Sequence, residues 1–329
     1  MNRLARNRLL LAAQVLFVAA AFWLGGRRLL RDWTEVRATL AHVRLSWSFA
    51  VASTIPIVVG YGVLIETWRV MLRVWGATLS RRHATTIYFI SNLGRYIPGK
   101  FWQIAAMSGM AQRCGVSPIA AAGSSLVVNL VNIATGFLVV LASGARVLSV
   151  ANGSGGSGTG TRVAVILAIA LGAIVVSLPW TLPLLVRAAA RVTGKASSMQ
   201  PVPPRAMWVA VVGTAIAWIL YGIGFQILAR AVWGHAPGGT GEYVAAFTVS
   251  YLIGYLALLA PGGIVVREVA LVEALRVLNL ATPGDALVLA LASRLWLTLL
   301  EIVLGLMFVP WLLRLPSSAP ADDSTKVRA

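Results

Sequence analysis

The chain has 329 residues, 58% of them hydrophobic and 12% charged, and a mean hydropathy of +0.82. That is too apolar for a water-soluble domain and marks an all-α polytopic membrane protein. The net charge of +18 comes from 28 Lys and Arg spread over short segments between apolar stretches. No basic face rich in aromatics gathers them, which excludes nucleic acid as a partner and suits anionic lipid headgroups.

In chain order, Arg3, Arg6 and Arg8 precede an apolar run over 9–24. With no small-residue cleavage pattern after it, this run is expected to be a retained first helix. Residues 27–44 carry five Arg with Asp32 and Glu35 on a Leu and Val pattern, which suits an interfacial helix. About twenty apolar residues cross roughly 30 Å of hydrocarbon. Such spans fall at 9–24, 48–68, 118–142, 163–186, 206–229 and 285–310, giving six transmembrane helices.

Two further apolar regions, 84–113 and 244–280, are interrupted by Pro98-Gly99 and by Pro261-Gly262-Gly263. Proline removes a backbone donor and clashes with the preceding turn, so each region reads as two half-helices meeting inside the membrane, a re-entrant hairpin. The stretch 151–160 is Gly- and Ser-rich and lacks the Gly-Lys-Ser or Gly-Lys-Thr ending of a phosphate-binding loop. Residues 1–317 are expected to form one transmembrane domain, and 318–329 a disordered cytoplasmic tail.

Counting Lys and Arg assigns fifteen to one side, nine to the other and four to membrane segments. Both termini are therefore expected in the cytoplasm, with the chain in a bacterial inner membrane. Trp23, Trp47, Trp68, Trp180, Trp208, Trp233 and Trp311 near span ends read as interface anchors. Cys114 is the single cysteine, and His42, His83 and His235 are scattered, so no metal or cofactor is expected.

The two interrupted regions are related. Pro118 lies 20 residues after Pro98, and Pro283 lies 22 after Pro261. Each copy is a breaker, a half-helix, a proline turn and a long span, over 84–142 and 244–310. Three crossings separate the hairpins, an odd number, so the copies are expected to be inverted repeats of the kind that build transporter sites at the midplane.

Each second half-helix would aim its free amides and positive dipole end at the bilayer centre. Arg95 and Lys100 flank the first breaker and Arg267 follows the second, an arrangement that suits a phosphate group. Glu66, Glu268, Glu273 and Glu301, with Arg95, Lys100, Arg267 and Arg294, would cost roughly 20 kcal/mol or more if they faced lipid. They must be paired, hydrated or occupied by a ligand. Arg294 and Glu301, seven apart, face the same way, and Asn129 follows Pro118 at the spacing at which Arg294 follows Pro283. The plainer alternative is structural: Arg267 and Glu268 as a buried ion network, and Glu66 and Glu273 as the charges that most readily take such a role, Glu273 as the i,i+3 partner of Arg276.

Pro261 to Glu268 (Pro-Gly-Gly-Ile-Val-Val-Arg-Glu), with Arg95 to Lys100 (Arg-Tyr-Ile-Pro-Gly-Lys), resembles the flippase-like family related to the transmembrane region of lysylphosphatidylglycerol synthases. The resemblance covers most of the chain. It implies a lipid translocase or lipid-carrier transport protein for aminoacylated phospholipids or sugar-bearing polyprenyl phosphates. The chain departs from the family in having Val265 where a glycine is usual. Its 329 residues are also expected to leave no room for a soluble aminoacyl-transfer domain, so it is not expected to be an enzyme.

The expected function is movement of an anionic lipid or lipid-linked sugar between leaflets. The expected substrate-binding residues are Arg95, Pro98, Gly99, Lys100, Pro261, Gly262, Gly263, Arg267, Glu268, Arg294 and Glu301. No residue is assigned to catalysis or metal binding, and a homo-oligomer is left open. The alternatives are an enzyme acting on polyprenyl-phosphate sugars through Asp32 and Glu35, and a non-transporting membrane scaffold.

Overall fold

The computed structural model describes residues 45–94, 101–143, 202–257 and 263–315, together with 173, 177, 180 and 181. The described residues hold eight main helices: α1 (Trp47–Val74), α2 (Arg81–Leu93), α3 (Phe101–Arg113), α4 (Pro118–Ser143), α5 (Pro204–Trp233), α6 (Thr240–Leu256), α7 (Val266–Val277) and α8 (Pro283–Leu312). Four of them, α1, α4, α5 and α8, are long and apolar enough to cross a membrane. The chain is an α-helical, multi-pass membrane protein. The expected spans at 9–24 and 163–186, the interfacial segment 27–44 and the tail lie outside the described residues.

Local chemistry sets the helix ends. Pro118, Pro204 and Pro283 open α4, α5 and α8 in the first turn, where a missing N–H costs nothing. The Ser80 and Thr282 hydroxyls accept from the amides of His83 and Asp285 to cap α2 and α8. Gly234 at φ 77° terminates α5 in the left-handed region. Three of the observed helices overrun the expected spans by several residues, α1 continuing to Val74 rather than stopping at 68, whereas α4 matches its expected span to within one residue.

Helix lengths run 28, 13, 13 and 26 residues, then 30, 17, 12 and 30. A 12- or 13-residue helix spans about 18–20 Å, too little to cross a bilayer core. The long helices α1 and α5 lie side by side and antiparallel. The Ser46 amide donates to the Ala231 carbonyl at 2.9 Å, Tyr221 lies against Gly60, and a Cβ on Gly224 would stand 2.7 Å from Ile57 Cγ1. Small residues at such crossings let two backbones approach closely.

At each break the following short helix starts beside the end of the preceding one. Gln103 Nε2 donates to Asn92 Oδ1 at 2.6 Å, joining the start of α3 to the end of α2. Gly263 packs 2.8 Å from the Gly254 carbonyl, measured to its ideal Cβ, joining the approach to α7 with the end of α6. The turn after α3 returns to the end of α1, where Gly123 of α4 meets Trp75. The turn after α7 returns to the start of α6, where Leu280 meets Gly238.

Packing then crosses between the halves. α2 lies on α8, with Phe89 stacked on Phe308 at 5.3 Å and Leu93 against Gly305. α6 lies on α4, with Leu252 against Gly136 and Gly241 against Ser143. A core including Trp218, Tyr61, Phe225, Leu252, Leu271 and Leu289 draws on most of these helices. Trp68 corrects the reading of the tryptophans: it is 1% exposed and donates from Nε1 to Ser124 Oγ at 3.1 Å, so it joins α1 to α4 instead of anchoring an interface. Trp47, Trp180 and Trp208 are exposed on the protein surface, as anchors require.

Candidate functional site

Arg267 is the second residue of α7 and only 7% exposed. It is carried there by a turn in which Gly263 has φ 68° and Val265 has φ 69° and ψ −46°. The first value suits glycine. The second is strained for a β-branched side chain, and it falls where the family resemblance leads one to expect glycine. Val265 gives α7 no side-chain cap, so the first amides of α7 have no hydroxyl or carboxylate cap from that residue.

The Arg267 guanidinium lies over two rings of α6, 5.1 Å from the Phe247 centroid and 5.0 Å from that of Tyr251. Such stacking holds the fork in place without using its donors. Among the described residues Nη2 of Arg267 has no hydrogen-bond partner although it is buried. Gly254 makes the approach possible, because a Cβ there would stand 2.7 Å from Cβ of Arg267.

Glu268, next on α7, faces Arg294 of α8 at 3.6 Å, with side chains 13% and 18% exposed. That separation is an ion pair but too long for a hydrogen bond, and both Glu268 oxygens are buried without a hydrogen-bond partner among the described residues. Two turns along α8, Glu301 is 5% exposed and accepts from Tyr61 Oη of α1 at 2.9 Å. Arg294, Glu268 and Glu301 all lie within electrostatic reach of Arg267.

The structure therefore brings together four of the expected site residues, Arg267 and Glu268 of α7 with Arg294 and Glu301 of α8, and Gly263 shapes the turn that delivers the first two. Arg95, Pro98, Gly99, Lys100, Pro261 and Gly262 lie outside the described residues, as do Asp32 and Glu35. Asn129, at the α4 position matching Arg294, turns back and donates to the Ser125 carbonyl of its own helix at 3.0 Å. Glu66 accepts from Arg69 at 2.6 Å and from Arg81 at 3.0 Å, and Glu273 accepts from Arg276 at 3.2 Å, so the structural reading holds for both. Among the described residues no cluster of three or more His, Cys, Asp or Glu could hold a metal ion.

Sequence reasoning missed the aromatic wall. Phe247 and Tyr251 are four apart just before the break, on one helical face, and Tyr61 lies mid-span in α1. A run of ring contacts links them: Tyr251 to Trp218 at 5.3 Å, Trp218 to Tyr221 at 6.2 Å and Tyr221 to Tyr61 at 5.6 Å. The i,i+4 spacing beside a buried arginine was a usable signal; the partnership of Tyr61 with Glu301, 240 residues away, was not.

The model of the family described as lysylphosphatidylglycerol synthase TM region matches residues 10–305. The chain belongs to this family. Membership in the lysylphosphatidylglycerol synthase TM family agrees with the four apolar spans and assigns the chain to a lipid-related class of membrane proteins. No curated protein matches the chain.

Proposed function

We propose that this family member is a lipid translocase that passes an anionic headgroup between leaflets through the Arg267 region. One observation carries the reading: a guanidinium buried among the helices, held over two aromatic rings of α6, with a nitrogen that has no partner among the described residues. A buried donor without a partner is costly, and an intramembrane arginine is functional by default. A phosphate oxygen would satisfy it, assisted by the positive end of α7.

The wider architecture is consistent with this role. Helix lengths repeat as long, short, short, long, and each half's first short helix packs on the other half's last long helix. Matching helices α1 and α5 run antiparallel, as inverted repeats demand. The α2–α3 pair has both outer ends near the end of α1, and the α6–α7 pair has both near the end of α5. This supports two re-entrant hairpins opening from opposite sides. Among the described residues, Arg69, Arg73, Arg81, Arg82, Arg113, Arg205 and Arg314 lie toward the first side, against Arg230 and Arg276 toward the second. The first side is then the cytoplasmic side of a bacterial inner membrane.

Glu268 and Glu301 compete with the lipid phosphate for the cations, so the headgroup is held and released rather than trapped. Alternating access would come from rocking one half against the other. The test is reconstitution of the full chain into liposomes carrying a fluorescent phosphatidylglycerol or phosphatidylcholine, with quenching from outside. Native protein should speed flipping of the anionic lipid more than the zwitterionic one, and Arg267→Ala should abolish the gain while remaining folded. No acceleration of either lipid would leave a scaffold. Turnover of a lipid-linked sugar instead would favour an enzyme.

A further inference from the structure

A groove of about 870 Å³ lies on the opposite side of α1 from Tyr61 and Glu301, between α1, α5 and the start of α2. Val59, Val63, Val212 and Ile216 line its length, and Glu66, Arg81 and Thr85 stand at one end. From Val59 to Val70 the groove follows α1 for about 16 Å, half the thickness of a hydrocarbon core. Gly62 opens it: a Cβ at that position would meet nothing within 4 Å. Its length matches one acyl chain in one leaflet, with the charged end at headgroup level, where the half-exposed Trp208 sits at the same border.

The charged end has an excess of cation. Glu66 faces both Arg69 and Arg81, so the three side chains carry one net positive charge. Arg81 is 81% exposed in its side chain and engages Glu66 through Nε at 3.0 Å. That leaves the outer N–H groups of its fork for a bidentate contact. Thr85 is one turn on along the same face of α2, and Arg81 is the first residue of that helix, whose dipole favours an anion there.

We propose that this groove is a binding site for an anionic diacyl phospholipid, one chain lying between α1 and α5 and the phosphate held by Arg81 and Thr85. The site is separate from the Arg267 region and goes beyond the transport reading. A phospholipid held there would brace the α1–α5 contact, the broadest helix packing among the described residues. A zwitterionic lipid would fill the groove equally well but would bring a cationic headgroup group to a site that already has one positive charge in excess.

The test is native mass spectrometry of the full chain released from nanodiscs of palmitoyl-oleoyl phosphatidylglycerol and phosphatidylcholine in equal amounts. Native protein should retain the anionic lipid over the zwitterionic one by about fivefold, in line with one charge-assisted contact. Arg81→Ala should remove that preference and leave total bound lipid nearly unchanged. Gly62→Leu fills open space and suits a helix, so it should fold, and it should lower both lipids by about tenfold. Equal retention of the two lipids by native protein would overturn the assignment, and so would native-like retention by both variants. Retention is read without transport, so this result is independent of the flipping assay.

Discussion

Two charge clusters sit on the helices of this chain, and they are built to opposite standards. At the end of α1, Glu66 is closed off by Arg69 and Arg81 at 2.6 and 3.0 Å, and the Arg69 fork also donates twice to the Leu79 carbonyl, at 3.0 and 2.9 Å. At the α6–α7 break, Arg267 keeps a buried nitrogen without a partner among the described residues, and Glu268 stands 3.6 Å from Arg294. The exposed cluster is more completely bonded than the buried one, the reverse of what stability alone would select, because unmet polar groups cost most where water is excluded. The difference separates two kinds of charge: the Glu66 carboxylate is satisfied within the chain and leaves only the outer N–H groups of Arg81 for a lipid at the surface, whereas the buried Arg267 and Glu268, short of partners among the described residues, are poised for a ligand.

The largest effect should come from closing the gap between α6 and α7. Gly254→Leu would drive a branched side chain into Cβ of Arg267, and overpacking of that kind costs about 1–3 kcal/mol or more. Loss of the folded peak in size-exclusion chromatography, or of all flipping, is expected. A variant with native melting and native flipping would show that the α6–α7 contact is not tight.

Next is Arg267→Lys. Positive charge is kept, but the planar fork that lies over Phe247 and Tyr251 is lost, and lysine does not substitute for arginine at a stacked or bidentate site. Flipping should fall about tenfold or more, with the fold retained, if one charge-assisted contact of this class is removed. Native rates in this variant would mean that charge alone suffices.

Tyr61→Phe removes the donor to buried Glu301 and should lower unfolding stability by about 1.5–3 kcal/mol, the range for a hydrogen bond to a charged group. Val265→Gly should act in the other direction. It relieves a β-branched residue at φ 69°, worth of order 1–3 kcal/mol, against about 0.5–1 kcal/mol of added chain entropy, so the melting temperature should rise. At the small end, Glu273→Gln breaks only an exposed i,i+3 pair and should change stability by less than about 0.5 kcal/mol.

Part of this contrast was legible in the sequence. The proline turns at Pro118 and Pro283 and the placement of Arg267 just inside α7 follow from proline chemistry and spacing, and the structural reading of Glu273 followed from its i,i+3 spacing to Arg276. Four of the six expected spans appear as helices. The pairing of Glu268 with Arg294, the Tyr61 contact to Glu301 and the burial of Trp68 were not legible. Each depends on how separate helices are rotated about their axes, and a uniformly apolar helix carries no amphipathic stripe to reveal that rotation. The strain at Val265 was visible only as a departure from the family's usual glycine; its backbone angle supplies the physical content.

The most direct measurement is a structure of the full chain in nanodiscs rich in phosphatidylglycerol. The account predicts that the Arg267 guanidinium lies near the middle of the hydrocarbon layer, with density for a phosphate within hydrogen-bond reach of Nη2. Finding that guanidinium level with either phosphate plane, or capped by a carboxylate of the protein itself, would contradict it.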